Sequence, residues 1–298
     1  MLAAMVASSP SRPKRPPGWV PPGPSPARTE VPIHDGEELS LLTGDWCIVQ
    51  RKDGHRWSLD DLVTAWLAAQ IAKTRDLQRG PFLDIGTGIG SVALMMAWSF
   101  PEASVTGLEA QAISFAMSTR SAAYNGCADR VTFRFGDLRD PTALTGAWPL
   151  VTGTPPYFDD PLQTRSNAPQ KEPCRFETRG GVEDYLLAMH RLVAHDGVGV
   201  VCHAARQRTR VLTAIEAAQM TPAFHLEVTP KLGRDPLVDV FAVVHRGQPD
   251  LEELPVPSRL TVRDAGDQWT PDFLALRQAM GLPPRVYPPQ ADKPTGAP

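Results

Sequence analysis

Between Pro81 and His245 the chain alternates short apolar segments with helix-like segments, and this alternation limits the folds open to it. It is typical of a doubly wound sheet, in which helices cross over between parallel strands. The apolar segments predict seven strands, at Phe82–Ile85, Ser104–Leu108, Val131–Phe135, Leu150–Thr152, Gly197–Cys202, His225–Thr229 and Leu237–His245. The gap between the last two is too short for a crossover helix, so they must form an antiparallel hairpin. We therefore predict an α/β fold whose parallel strands end in this hairpin.

The helix-like segments have apolar runs that end at stop signals such as Asn125-Gly126. They predict helices at Leu62–Ala72, Ser91–Phe100, Gln111–Tyr124, Val182–Val193, Arg206–Gln219 and, beyond the hairpin, Leu274–Met280. The first of these precedes the sheet and is expected to cover one side of it.

The two ends of the chain differ from this central region. Proline accounts for 31 of the 298 residues and is concentrated at both ends, where apolar periodicity is absent. Such segments cannot bury enough apolar surface to offset their ordering entropy. We therefore expect residues 1–32 and 283–298 to be disordered, residues 33–247 to form the folded domain, and residues 248–282 to be a C-terminal extension without an assigned role.

The composition limits where the protein is expected in the cell and what it is expected to bind. The first 29 residues are basic, as in an organelle transit peptide, but their proline content argues against an amphipathic helix, and a cytoplasmic protein is expected first. No stretch approaches the ~20 apolar residues of a membrane span. The 4 cysteines and 7 histidines lack metal-ligand spacing, so we expect no metal. With a net charge of −3, a nucleic acid would have to be held by a local basic patch. The oligomeric state stays open.

A glycine-rich turn follows the first predicted strand of the sheet. Asp84 precedes Gly86, Gly88 and Gly90, which let the backbone turn sharply and approach a ligand. Glu109 and the pair Asp137-Leu138 follow the next two strands, at the sheet edge where such folds bind ligands. A nucleotide cofactor is therefore predicted, with Glu109 on the ribose hydroxyls and Asp137 on the adenine amine. NAD would also suit this arrangement, but an acid before the first glycine better matches a cofactor with a cationic ammonium group.

A second turn follows the fourth predicted strand, with the sequence Thr154-Pro155-Pro156-Tyr157-Phe158. Two prolines fix φ and remove two amide donors, which leaves a rigid turn rich in carbonyl acceptors. The aromatic pair supplies flat surfaces on which a base can stack. This turn predicts a site for a planar amine. When the carbonyl oxygens accept hydrogen bonds from the amine, its nitrogen lone pair is drawn out of conjugation and becomes available for reaction. The alternative is a turn that only ends a strand.

The glycine turn resembles motif I of the class I methyltransferases, which bind S-adenosylmethionine (SAM) on a Rossmann-like seven-stranded sheet. The proline turn resembles the (Asn/Asp/Ser)-Pro-Pro-(Tyr/Phe) motif of amino-group methyltransferases, with Thr154 in place of the usual Asn. Residues 50–61, 177–185 and 237–244 are similar to segments of bacterial tRNA(Val) adenine-N6 methyltransferases. Over roughly residues 40–247, the resemblance implies methyl transfer from SAM, with Thr154, Pro155, Pro156 and Tyr157 in the catalytic turn.

The same resemblance places Arg56, Ser58 and Asp60 near the cofactor and acceptor pocket, although Ser58 and Asp60 would also suit a simple helix start. Four basic residues follow the catalytic turn and could hold RNA phosphates or be a solvated loop: Arg165, Lys171, Arg175 and Arg179. Three hypotheses remain. An adenine-N6 methyltransferase acting on tRNA comes first, then a protein-glutamine or small-molecule methyltransferase, then a non-catalytic module that binds SAM or RNA.

Overall fold

The computed structural model describes residues 18–54, 56–157, 180–248, 251 and 254–284. Over these residues the helices are α1 Leu59–Thr74, α2 Ser91–Ser99, α3 Ala112–Tyr124, α4 Val182–Leu192, α5 Arg208–Ala217 and α6 Pro271–Ala279. The strands are β1 Glu37–Thr43, β2 Trp46–Arg51, β3 Phe82–Ile85, β4 Val105–Glu109, β5 Val131–Phe135, β6 Trp148–Gly153, β7 Val193–Ala204, β8 Met220–Thr229, β9 Val238–His245 and β10 Arg259–Thr261.

One sheet organises the domain, with its strands in the order β10-β8-β9-β7-β6-β3-β4-β5. The five strands from β5 to β7 are parallel, whereas β9 is antiparallel to both β7 and β8. The predicted α/β fold and its terminal hairpin are therefore confirmed. Over the described residues the sheet has eight strands rather than the predicted seven, because β10 from the C-terminal extension pairs with the end of β8. A strand of 3 residues is too short to leave a periodic signal in the sequence.

Helices cover both faces of the sheet, as expected for central parallel strands that are buried on both sides. One apolar cluster joins α1 and α2 to one face, with Leu67, Ile71 and Met95 fully buried. The other joins α4 and α5 to the opposite face. Among the residues described, no helix combines the length and apolar character needed to cross a membrane.

Strands β1 and β2 form a separate antiparallel hairpin that our sequence analysis missed. Its turn is Gly44-Asp45, a pair typical of two-residue hairpin loops. The hairpin is fixed to the end of α3 by Asn125, whose side chain accepts from Cys47 N at 2.9 Å and donates to Cys47 O at 2.7 Å. It therefore packs as part of the domain.

The described parts of both chain ends pack on the domain as well. Residues 18–32 contain no helix or strand, but Thr29 N donates to Tyr124 O at 3.3 Å. The ring of Trp98 on α2 lies so close to Gly23, Gly44 and Gly281 that an added Cβ would come within 2.5 Å of it at each position. Residues 1–17 and 285–298 lie outside the described residues, and the proposed domain boundaries stay a prediction.

Candidate active site

A cleft of about 410 Å³ opens at the carboxyl ends of β3, β4, β5 and β6. Twelve of the predicted site residues line it: Arg56, Ser58, Asp60, Gly86, Gly88, Glu109, Asp137, Leu138, Thr154, Pro155, Pro156 and Tyr157. Asp84 and Gly90 are not among the lining residues. Phe158, Arg165, Lys171, Arg175 and Arg179 lie outside the described residues. The parallel strands thus bring the glycine turn, the two acids and the proline turn to one edge.

The glycine turn depends on backbone conformations that other residues rarely adopt. Gly86 and Gly88 have φ values of 60° and 58°, in the left-handed region that costs an L-residue energy. A Cβ on Gly86 would lie 1.8 Å from the hydroxyl of Tyr185 on α4. A Cβ on Gly88 would meet no atom within 4 Å, because this residue faces the cleft. Gly90 is the N-cap residue just before α2 and packs against Phe133.

Asp84 lies beneath this turn and holds it together. Its carboxylate accepts from Thr87 Oγ1 at 2.5 Å and from Thr152 Oγ1 at 2.7 Å. The second contact follows from the register of the sheet, since Asp84 on β3 pairs with Thr152 on β6. Burial raises the pKa of Asp84 to about 6 even though both hydroxyls act to lower it. Asp84 is therefore enclosed beneath the turn, whereas a residue that contacts the ammonium group of the cofactor directly would be expected on the surface of the cleft.

Glu109 connects the glycine turn to α3. Its two oxygens accept from Gly88 N at 2.8 Å and from Gln111 N at 2.6 Å. The carboxylate is thereby held at the end of β4, in the wall of the cleft. An ionised carboxylate can accept about four hydrogen bonds, so these contacts are compatible with ribose hydroxyls as further donors.

Asp137 follows β5 and also lines the cleft, where it pairs with Arg139. Arg139 Nε and a terminal guanidinium nitrogen donate to the two Asp137 oxygens at 2.9 and 2.6 Å. The neighbouring Leu138 is 5% exposed and adds an apolar surface beside this carboxylate. A polar acceptor beside an apolar wall suits the edge and the face of a purine ring.

The proline turn is held in place by its tyrosine. The Tyr157 hydroxyl donates to Asp60 Oδ2 at 2.9 Å and lies 3.4 Å from Cys202 Sγ. Gln207 Nε2 donates to Tyr157 O at 2.8 Å, and the ring of His203 meets the Tyr157 ring edge-on at 5.0 Å. Burial raises the pKa of Tyr157 well above its usual value. The phenol therefore stays protonated and keeps the turn fixed to α1.

Residues 58–61 begin α1 and face the cleft. Ser58 Oγ donates to Asp60 Oδ1, and Ser58 N donates to Asp61 Oδ2 at 2.9 Å. The two interpretations of this segment, a helix start and a part of the pocket, are therefore compatible, since the residues cap the helix and also line the cleft. Burial, followed by the charge of Asp60, raises the pKa of Asp61 to about 8. Arg56 forms an ion pair with Glu38 on β1.

Three residues of this site were missed by sequence analysis. Tyr185 packs against two glycines, Gly86 and Gly153, which are far apart in the chain. Gln207 holds the proline turn from the segment before α5, and no local pattern marks it. Asp61 did leave a signal, because an acid three residues after Ser58 is a capping-box pattern. No group of three or more His, Cys, Asp or Glu side chains in the described ranges could hold a metal ion.

Comparison with known proteins agrees with this geometry. Residues 56–171 match the family described as methyltransferase small domain. The chain is 28% identical over 204 residues to the tRNA1(Val) (adenine(37)-N6)-methyltransferase of Mannheimia succiniciproducens, which covers 67% of this chain and 79% of that protein. It is 29% identical over 198 residues to the release factor glutamine methyltransferase of Deinococcus radiodurans, covering 65% and 62%.

The fold has a counterpart among solved structures. The crystal structure of a predicted O-methyltransferase from Agrobacterium tumefaciens superposes with a TM-score of 0.54 at 15% identity, and the match covers 75% of this chain and 99% of that one. The glycine turn, the acids at the strand ends and the family match all indicate the same cofactor, SAM. The chain is therefore an SAM-dependent methyltransferase with a Rossmann-like fold, and its residues 56–171 are similar to the methyltransferase small domain family.

Proposed function

We propose that this protein methylates the N6 amine of an adenine in tRNA. The observation that carries the proposal is the proline turn, Thr154 to Tyr157, which lines the same cleft as the glycine turn. An acceptor-rich turn beside a cofactor site suits a planar amine, and the relative from M. succiniciproducens is named for this reaction. RNA binding and a cytoplasmic location are part of the proposal.

The cofactor site divides into three parts. Gly86 and Gly88 leave room for the methionine portion of SAM, Glu109 accepts from the ribose hydroxyls, and Asp137 with Leu138 receives the adenine ring. When bound, SAM supplies an electrophilic methyl group on a sulfonium sulfur. The residues named here contribute position and hydrogen bonds, which are the main requirements of a direct displacement.

The acceptor amine is oriented by the proline turn. Backbone carbonyls of Thr154 and Pro155 accept its hydrogens, which draws the nitrogen lone pair out of conjugation with the ring. The ring of Tyr157 supplies the stacking surface and cannot turn away, because its hydroxyl is bonded to Asp60. The nitrogen loses a proton to solvent as the new N–C bond forms, so a strong base is not required.

A second candidate is methylation of a glutamine side chain in a protein. The net charge of −3 favours it, since the chain has no overall attraction for nucleic acid, and one relative is named as a release factor glutamine methyltransferase. A glutamine amide is also a planar amine, so the same turn would orient it. The predicted RNA contacts at Arg165, Lys171, Arg175 and Arg179 would then be unnecessary.

One competition experiment separates the two. The full chain is incubated with methyl-labelled SAM and a mixture of unmodified tRNA and ribosomal and release-factor proteins. The RNA is then digested to nucleosides and the protein to amino acids. The tRNA proposal predicts label in N6-methyladenosine. Label in methylglutamine alone would overturn it in favour of the second candidate.

A further inference from the structure

One end of the cleft carries three carboxylates from two elements. Asp60 and Asp61 lie at the start of α1 and line the cleft, and Asp84 lies beneath the glycine turn. Their bonds in the described part of the chain come from hydroxyl and amide donors, and no arginine or lysine forms an ion pair with any of them. Among the residues that the structure describes, the titratable side chains of Tyr157 and Cys202 also face this cluster. The cluster therefore lacks a cationic partner within the described ranges.

Each of the three carboxylates accepts two hydrogen bonds, but the donors lie on different sides of the cleft. Both oxygens of Asp84 accept hydroxyl hydrogen bonds, and both oxygens of Asp60 accept from Ser58 and Tyr157. Asp61 lines the cleft and accepts from Ser58 N and from the side chain of Ser91, the residue that directly follows the glycine turn. Asp61 is 4% exposed, so a charged partner would be largely shielded from water.

We propose that Asp61 binds the ammonium group of the methionine portion of SAM. The glycine turn is the part of the fold that receives this portion. Of the two carboxylates that line the cleft here, Asp61 is bonded to Ser91 after the glycine turn, whereas Asp60 is bonded to Tyr157 of the proline turn. A cation there supplies the countercharge that the cluster lacks, and a charge-assisted hydrogen bond is stronger than a neutral one. The inference depends on the cofactor and not on the identity of the methyl acceptor.

A purely structural role for Asp61 must be separated from this one. Its bond to Ser58 N caps α1, and Asp184 makes the same kind of bond in α4, where Gly181 N donates to Asp184 Oδ2 at 3.1 Å. Asp184 does not line the cleft. Asp184→Asn is therefore a matched control, since both substitutions keep an oxygen acceptor for the cap and replace a carboxyl group with an amide that cannot ionise.

Calorimetry with the full chain gives the first test. S-adenosylhomocysteine keeps the ammonium group, whereas methylthioadenosine keeps the nucleoside and sulfur but lacks the amino acid. Asp61→Asn should lower the affinity for S-adenosylhomocysteine about ten- to a hundredfold, which is the range for a charged hydrogen bond. The affinity for methylthioadenosine should stay within about twofold of its value in the unmodified protein. Asp184→Asn should leave both affinities within about twofold of their values in the unmodified protein. Equal loss for both ligands in Asp61→Asn, or no loss for either, would overturn the proposal.

A measurement on the unmodified protein covers the case in which the variant does not fold. Burial keeps the pKa of Asp61 above neutral pH in the free protein, so a cation that needs the carboxylate must displace its proton. At pH 7, in buffers of different ionisation enthalpy, S-adenosylhomocysteine should release about one proton more than methylthioadenosine does. Equal proton release would overturn the proposal. Either result is independent of whether tRNA is methylated.

Discussion

Two glycines of the same turn offer a matched pair of substitutions. Gly86 and Gly88 have nearly equal φ values, 60° and 58°, so an alanine at either pays the same strain of about 1–2 kcal/mol for a left-handed residue. Their surroundings differ. The new methyl group at position 88 would enter open space, whereas at position 86 it would lie 1.8 Å from the Tyr185 hydroxyl.

Tyr185 has little freedom to move away, since it is 6% exposed and its ring also packs against Gly153. Forcing an extra group into a packed site costs about 1–3 kcal/mol. We therefore expect Gly88→Ala to lower the free energy of unfolding by about 1–2 kcal/mol, and Gly86→Ala by about 2–5 kcal/mol. Cofactor affinity should follow a different order, because the methyl group of Gly88→Ala occupies the cleft without disturbing the core.

Urea denaturation gives the two stabilities, and calorimetry with S-adenosylhomocysteine gives the two affinities. The expected result is that Gly88→Ala stays folded but binds the cofactor weakly, while Gly86→Ala is the less stable of the pair. Equal destabilisation by the two substitutions would refute the close contact between Gly86 and Tyr185. Undiminished affinity in Gly88→Ala would refute the assignment of the cofactor to this turn.

Three further predictions concern the other cleft residues. Tyr157→Phe keeps the ring but loses the bond to Asp60, so single-turnover methyl transfer should slow about tenfold while calorimetry gives a cofactor affinity within about twofold; equal loss of both would make the turn purely structural. Thr154→Asn supplies an amide acceptor and should raise the methylation rate of an adenine acceptor, whereas a fall would mean that the threonine is tuned to another nucleophile. Between pH 6.5 and 8 the free protein should lose stability as pH rises, because the raised pKa of Asp61 means that the folded state holds a proton that the unfolded state has released. Chemical denaturation should give a slope of up to about 1.4 kcal/mol per pH unit for this group, and Asp61→Asn should flatten it; an unchanged slope would contradict the assignment.

The sequence was informative where the chain repeats one physical pattern. Parallel strands buried on both faces give continuous apolar runs, and the helices between them must cross over, so seven strands and the final hairpin could be predicted. Strand β8 begins at Met220, five residues before its predicted start, and Pro222 lies in this added part. That part of β8 is an edge beyond the short β10, where proline is tolerated.

Contacts between distant segments could not be predicted from local patterns. The pairing of β10 with β8 and the packing of Tyr185 against Gly86 and Gly153 depend on the assembled sheet. The proline turn combines a feature that the sequence could predict with one that it could not. Its position in the cleft followed from the end of a predicted strand, but its attachment to α1 through Asp60 and Tyr157 required the tertiary structure.

The central claim is that this protein transfers a methyl group from SAM to an adenine amine held by the proline turn. It is tested most directly by nucleoside mass spectrometry of tRNA incubated with SAM and either the unmodified protein or Tyr157→Ala. The account predicts N6-methyladenosine with the unmodified protein and a loss of that product, at unchanged cofactor affinity, with the variant. A protein that binds the cofactor yet forms no methylated adenosine in any tRNA, or a variant that is as active as the original, would contradict it.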